Sequence, residues 1–467
     1  MFSLLGSSAR LCDGYTRREM LRLGGLSAFG VSIPQLLAAK RTVAADARPS
    51  FGRAKSCIVL WMTGGPPQHE TWDPKPDAPA EIRGPFGSIS TSLPGIRVGE
   101  LMPNTARILD KLCVLRAVHT DNPSHPGSSY EMLTGVLHPL GKGRDDVVDR
   151  RSDFPTFSSI VKGFRQAPPG IPAAVVIPEP IFNVPFYPGQ HGGFLGSRFD
   201  PWRLTCDPSA SDFKIPELSL MDGVSDVRLS ARTDLLNLVD SPEAGLRGDA
   251  TWKTYLTDSQ QAFDLLVGRR AREALDLSRE PPKVRERYGR HKFGQGCLLA
   301  RRLVEAGVPL VQVNWHRDKD DDTPMWDAHW KLEDNLKRKL MPPMDQSYPV
   351  LLDDLEQRGL LSETLVIWMG EFGRTPKVEY VAPHPTIGRN HWGNVFSITL
   401  AGGGVRGGQV LGSSDKDGAY PKDFAVEPGD LLATLYHSLG IDPQSEIRDP
   451  LNRPHPISRG RVLERVF

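Results

Sequence analysis

The chain has 467 residues, a net charge of +1 and 39% hydrophobic residues. A charge so near neutrality excludes a general nucleic-acid binder, which needs a basic face, and the recurring apolar runs exclude a disordered chain. Five cysteines without a C-x-x-C pair point to buried thiols rather than a disulfide framework or a cysteine metal site.

Thr16-Arg17-Arg18-Glu19-Met20-Leu21 is a twin-arginine pattern. A weakly apolar stretch follows from Leu23 to Ala39, interrupted by glycines, serines and Pro34, and then Ala45-Asp46-Ala47, an A-x-A cleavage site. Residues 1–47 therefore read as a signal peptide for twin-arginine export to the periplasm or beyond. The stretch is too weakly hydrophobic for the roughly 20-residue apolar span a bilayer needs. No later segment meets that length, so no membrane span is expected in the mature chain. About 420 residues remain, enough for one large domain with insertions.

Cys57–Met62 is the first predicted core strand, and Gly64-Gly65-Pro66-Pro67 turns the chain after it. Leu101–Leu109 reads as a helix, Leu112–Val118 as a strand, and Ser128–Leu133 as a short helix closed by Thr134-Gly135. Ala173–Ile177 is the next strand. From about residue 194 to 296 strands are scarce, and Val227–Leu238 and Trp252–Leu277 carry helical periodicity, so this region reads as a helical insertion. Then come a helix over Leu298–Ala306, a strand over Val308–Trp315 and a helix over Leu351–Arg358. A strand at Leu365–Met369, another at Phe396–Ala401 and a helix over Asp430–Leu439 complete the order. Gly307, Gly359 and Gly440 stand where helix C-caps are needed. Strand–helix alternation of this kind predicts an α/β fold, a mostly parallel central sheet with helices on both faces.

Such sheets build their sites at the carboxyl ends of their strands. Trp368-Met-Gly-Glu-Phe-Gly-Arg-Thr-Pro376 puts Glu371 just past a buried strand, and Gly388-Arg-Asn-His-Trp392 supplies His391. Trp326-Asp-Ala-His329 adds Asp327 and His329 upstream. Carboxylates and imidazoles are the ligands of a hard or borderline cation. Asp318 to Asp322 reads as a solvated acidic loop, His437 as a structural histidine, Gly402 to Gly404 as turns, and Arg374 as a partner of Glu371 or of an anion.

Taken in order, Gly64-Gly65-Pro66-Pro67, Asp73-Pro-Lys-Pro-Asp77, Met132-Leu-Thr-Gly135, Trp326-Asp-Ala-His329, Gly370-Glu-Phe-Gly-Arg-Thr-Pro376, His391-Trp392 and Ala401-Gly-Gly-Gly404 resemble the secreted bacterial family catalogued as domain of unknown function 1501. The family is sulfatase-like and resembles the alkaline phosphatase superfamily, which implies a metal-dependent hydrolase of phosphate or sulfate esters. The substrate would be a small molecule or a polysaccharide ester, and the metal a divalent ion, zinc first, with calcium or manganese as alternatives. A relative that binds a metal or glycan without turnover is the other reading.

Set against the superfamily's pattern, Asp327 and His329 match its Asp–His pair at shorter spacing, His391 matches its distal histidine, and Glu371 takes the place of a strand-ending Asp. Phe372 replaces the histidine that would follow that acid. The Asp after the first strand is missing, and Glu70 or Asp73, with His69, are the carboxylates near enough in sequence to replace it. The resemblance therefore implies one site of Asp327, His329 and His391, with Glu371, Glu70 and Asp73 as further candidates. The sulfatase nucleophile position is occupied by His125, and the C-x-P-x-R motif is absent. Ser124, Ser128 or Ser129 could attack from nearby, His125 could serve as nucleophile, base or ligand, or water could attack with no serine at all.

Overall fold

Ser56-Cys-Ile-Val-Leu-Trp61 is buried throughout and apolar after Ser56, as a strand covered on both faces must be, and it forms the centre of the sheet. The computed structural model describes residues 50–182, 187–213, 269–316, 325–380 and 382–467, with residues 215, 228, 231, 232 and 235. The signal-peptide reading of residues 1–47, the two long insertion helices over most of their lengths and the acidic run at 318–322 lie outside these.

Within the unit from Gly52 to Phe467, one eight-stranded sheet dominates. Its strands are β1 (Ser56–Trp61), β2 (Leu112–Val118), β3 (Ala174–Ile177), β4 (Trp202–Arg203), β5 (Leu310–Asn314), β6 (Thr364–Met369), β7 (Phe396–Ala401) and β8 (Gln409–Leu411). The order across the sheet is β8-β2-β7-β6-β1-β5-β3-β4. Every neighbouring pair is parallel except those of β7, which runs antiparallel to both β2 and β6. The predicted mostly parallel sheet is therefore present, with one reversed strand that hydrophobic pattern alone does not reveal.

Successive side chains on a strand point to opposite faces, and the core divides accordingly. Ile58, Leu60, Val311, Val313, Val366 and Trp368 enter one apolar cluster, packed against helices α3 (Lys292–Glu305) and α4 (Met341–Gln357). Cys57, Val59, Trp61, Leu365, Ile367 and Leu400 enter the other, packed against α1 (His125–Thr134), α2 (Phe157–Phe164) and α5 (Pro428–Ser438). Among the described residues no cysteine forms a disulfide: Cys57, Cys113 and Cys297 are buried thiols and Cys206 is partly exposed.

Several boundaries depart from the sequence reading, each for a local reason. The helix expected over Leu101–Leu109 is broken into Pro103–Ala106 and a single tight turn at Leu109–Lys111. Helix α4 starts ten residues before the predicted Leu351 and continues a helical run that begins at Leu332 and passes through a π-helical segment, Leu336–Leu340, directly before Pro342 and Pro343. Helix α1 starts at His125 rather than Ser128, with Ser124 as its N-cap accepting from the Gly127 amide. Within the expected insertion, the described residues include the helix Arg269–Leu275 and the edge strand β4.

Candidate metal centre

Strands β1, β2, β5 and β6 are mutually parallel, so the loops after them leave one edge of the sheet. The reversal of β7 brings its start to that same edge, and with it His391, a few residues earlier. The preceding His391–Trp392 pairs with Gly373–Arg374 in a short antiparallel ribbon, which fixes His391 beside the end of β6. The β1 and β5 loops are stapled together: the Trp326 amide donates to Thr63 O at 3.0 Å, and the Thr63 hydroxyl to Trp315 O at 2.9 Å. Gly64, at φ +109°, lies so close that a Cβ would stand 2.5 Å from the Asp327 nitrogen. A side chain there would displace the acid.

His125, Asp327, His329 and His391 converge at this edge, with one ligand atom of each within 4.8 Å of all the others. Asp327 Oδ1 is 2.9 Å from His329 Nε2 and 3.0 Å from His391 Nε2, and its Oδ2 is 3.2 Å from His125 Nε2. The two Nε2 atoms of His329 and His391 are 2.8 Å apart.

The opposite ring nitrogens explain what these atoms are doing. His391 Nδ1 is 2.9 Å from Pro123 O, His329 Nδ1 2.8 Å from Asn390 Oδ1, and His125 Nδ1 2.9 Å from Glu371 Oε1. All three partners are acceptors, so each Nδ1 carries the proton, and in each neutral ring the Nε2 lone pair points into the cluster. Two such lone pairs 2.8 Å apart repel unless a proton or a cation lies between them. His125 Nε2 is buried, with Asp327 Oδ2 at 3.2 Å as its ion-pair partner. Zinc bonds of about 2.0–2.1 Å put tetrahedral ligand atoms roughly 3.3 Å apart, the scale of this cluster. Three imidazoles and a carboxylate are a donor set for a borderline divalent cation.

The electrostatics agree. Burial, with the charges of His125 and Arg374, pulls His391 down to about 3 against its bond to Asp327, so its ring is neutral and able to ligate. Burial also works against the His125 imidazolium, but the charges of Asp327 and Glu371 outweigh it and hold its pKa up at about 9. Asp327 is buried too, yet Arg374 and His125 keep its carboxyl well below the usual range. The acid is ionised, and one proton on His125 occupies the place a cation would take.

The other candidates are placed differently. Glu371 stands behind His125 rather than in the cluster. Its Oε1 accepts from His125 and, at 2.7 Å, from the Gly64 amide, while Oε2 is buried without a partner. Arg374 pairs with Asp327, Nη2 to Oδ1 at 2.7 Å, and not with Glu371. Glu70 is taken by Arg389, at 2.7 Å, and Asp73 by Ser414, Lys75 and Arg116. Neither joins the cluster: each lies on the β1 loop and is held by other cations, Glu70 by buried Arg389 and Asp73 by partly exposed Lys75 and Arg116. His69 Nε2 bonds Asp417 O at 2.8 Å. Ser124 caps α1 and donates to Arg144 O at 2.6 Å. Ser128 is wholly buried, donating to Glu371 O and bonded to Thr120 at 2.8 Å. Ser129 is equally buried. Sequence reasoning missed Asn390 and Gly64. Asn390 lies next to His391, and Gly64 had been read only as a turn.

No curated protein matches the chain. Solved structures resemble it loosely. The PsFucS1 sulfatase from Pseudoalteromonas sp. has a TM-score of 0.38 and 13% identity, over 86% of this chain and 70% of that one. A protein in the alkaline phosphatase superfamily from Vibrio parahaemolyticus has 0.36 and 9%, over 84% and 70%. The C-terminal periplasmic domain of EcEptC from Escherichia coli, in complex with Zn, has 0.33 and 10%, over 88% and 94%. At such TM-scores the chemistry rests on this chain's own residues. Its family does not: the model described as "Protein of unknown function (DUF1501)" matches residues 54–467, and the chain belongs to that family.

Proposed function

We propose that the chain is an exported metal-dependent hydrolase of phosphate or sulfate esters. The observation that carries this reading is the convergence of three imidazole Nε2 atoms on the Asp327 carboxylate. Asp327, His329, His391 and His125 would hold one divalent ion, zinc by its donor set. When bound, such an ion supplies Lewis acidity toward an ester oxygen and an attacking water.

The surrounding residues bind and orient. Glu371 fixes the His125 ring and strengthens it as a donor, as carboxylates behind ligating histidines do. Arg374 holds Asp327 in place. The amino end of α1, with His125 as its first residue, favours an anionic group at the cluster. His329 and His391 are the more open members, their side chains 20% and 23% exposed, so substrate would enter from their side. Ser124 and Ser128 are committed to other bonds, which favours direct attack by water over a covalent serine intermediate.

The same commitment favours the second reading, a relative that binds metal or glycan without turnover. Phosphate and sulfate esters of nitrophenol, assayed on zinc-loaded protein and on Asp327→Asn, separate the two. Metal-dependent hydrolysis lost in the variant supports the enzyme. Metal retention with no hydrolysis of either ester class supports the binder.

A further inference from the structure

We propose that Asn122 is a positioning residue of the metal centre: it locks the bend from Thr120 to Ser124, which holds His125 and His391 in place relative to one another. This rests on the metal-centre reading and adds the residue on which the placement of two of its ligands depends. The bend touches both histidines. Pro123 O accepts from His391 Nδ1 at 2.9 Å. Ser124 is the N-cap of α1, whose first residue is His125. A shift of Pro123 and Ser124 would therefore turn one ring and carry the other away from it.

Asn122 is wholly buried, and both ends of its amide are used. Its Oδ1 accepts from the Ser124 amide at 3.2 Å, closing a turn two residues on, and from the Gly143 amide at 3.0 Å. Its Nδ2 donates to Glu131 Oε1 at 2.8 Å, inside α1. One side chain thus ties the segment entering the helix to the helix itself and to the neighbouring loop.

The other flank of the bend is closed by Gly393, two residues past His391. Its carbonyl accepts from the Thr120 and Asp121 amides at 2.9 and 3.0 Å. A Cβ on Gly393 would stand 2.4 Å from the Asn122 nitrogen, and one on Gly127, in α1, 2.6 Å from Asn122 Nδ2. Asn122 therefore sits where the ribbon carrying His391 and the helix carrying His125 meet, with no room for a larger residue. Asp121, just before it, has φ +54°, a conformation that a residue with a Cβ adopts at a cost. The bend keeps its shape through its bonds rather than through backbone preference.

The test removes these bonds and then rebuilds them with donor and acceptor exchanged. Zinc affinity is measured by competition with a chromophoric chelator, and cobalt(II) replaces zinc for visible spectroscopy. Asn122→Ala should weaken zinc binding about tenfold and change the cobalt bands, and Asn122→Ser stands in if that variant does not fold. Asn122→Ala with Glu131→Gln should stay as weak. Asn122→Asp with Glu131→Gln should return to within about twofold of the wild type, with its cobalt bands. There the carboxylate still accepts from Ser124 and Gly143, and the glutamine amide donates to it. Wild-type zinc affinity and cobalt bands in Asn122→Ala or its serine stand-in, with only a lower melting temperature, overturn the positioning role. An exchanged pair that recovers the melting temperature but not the zinc affinity overturns it too. A wild type that takes up neither zinc nor cobalt overturns the metal centre itself.

Discussion

Two buried carboxylate–arginine pairs touch the β1 loop, and they do opposite things. Glu70 gives both oxygens to Arg389, whose Nε lies 3.0 and 3.1 Å from them and whose Nη2 lies 2.7 Å from one. The remaining Arg389 donors go to Ile82, Thr375 and Pro376 carbonyls. That is a closed, two-pronged pair with charge and donors matched. Asp327 gives Arg374 only Oδ1, at 2.7 Å, shares that oxygen with His329 and His391, and turns Oδ2 toward His125. Both acids are buried and follow glycine- or aromatic-rich motifs. The number of oxygens the arginine takes separates a structural carboxylate from one able to ligate.

The contrast can be broken most sharply at Arg389. Arg389→Met strands a buried acid, and breaking such a pair costs about 3–5 kcal/mol, readable as a lower urea midpoint. Zinc uptake by the folded fraction should be unchanged, and adding Glu70→Gln should recover part of the loss. A fall in zinc affinity in the folded variant would show that the two pairs are not independent.

Glu371→Gln keeps the shape of the side chain but removes the charge behind His125. Zinc affinity should fall about 10- to 100-fold, measured by competition with a chromophoric chelator, with little change in melting temperature. An unchanged affinity would make Glu371 a packing residue only.

Glu131 supplies a third kind of buried carboxylate, with no arginine on it. Asn122 Nδ2 donates to it at 2.8 Å, and burial pushes its pKa up to about 7. Its folded value exceeds the unfolded one, so the protonated form is favoured in the fold. The contribution is fully present below about pH 4.5 and is lost as pH rises to about 7. Glu131→Gln should therefore match the wild type near pH 4.5 and exceed it by about 3 kcal/mol at pH 8. A constant difference between those pH values would contradict the assignment.

The sheet was legible because its strands are buried on both faces and read as apolar runs. Leu112–Val118 coincides with its predicted bounds. The reversal of β7 was not legible, since Phe396–Ala401 is as buried as the parallel strands and direction follows from the route of residues 370–395. At the site, Asp327, His329 and His391 were legible as ligand types after strand ends. Glu371 was placed near them by the same logic, but the sequence does not say whether a side chain faces the cluster or the ring behind it. Glu70 and Asp73 were chosen for proximity to β1. Lys75 lies two residues from Asp73, but Arg389, the partner of Glu70, lies 319 residues away, beyond any local pattern.

The central claim is that the cluster is a cation site, and the metal content of the purified chain tests it most directly. Protein incubated with zinc and then desalted should retain about one ion per chain. Asp327→Asn and His391→Ala should retain almost none while giving wild-type circular dichroism. A wild-type chain that keeps no divalent ion, or an Asp327→Asn variant that keeps as much as the wild type, would contradict the account.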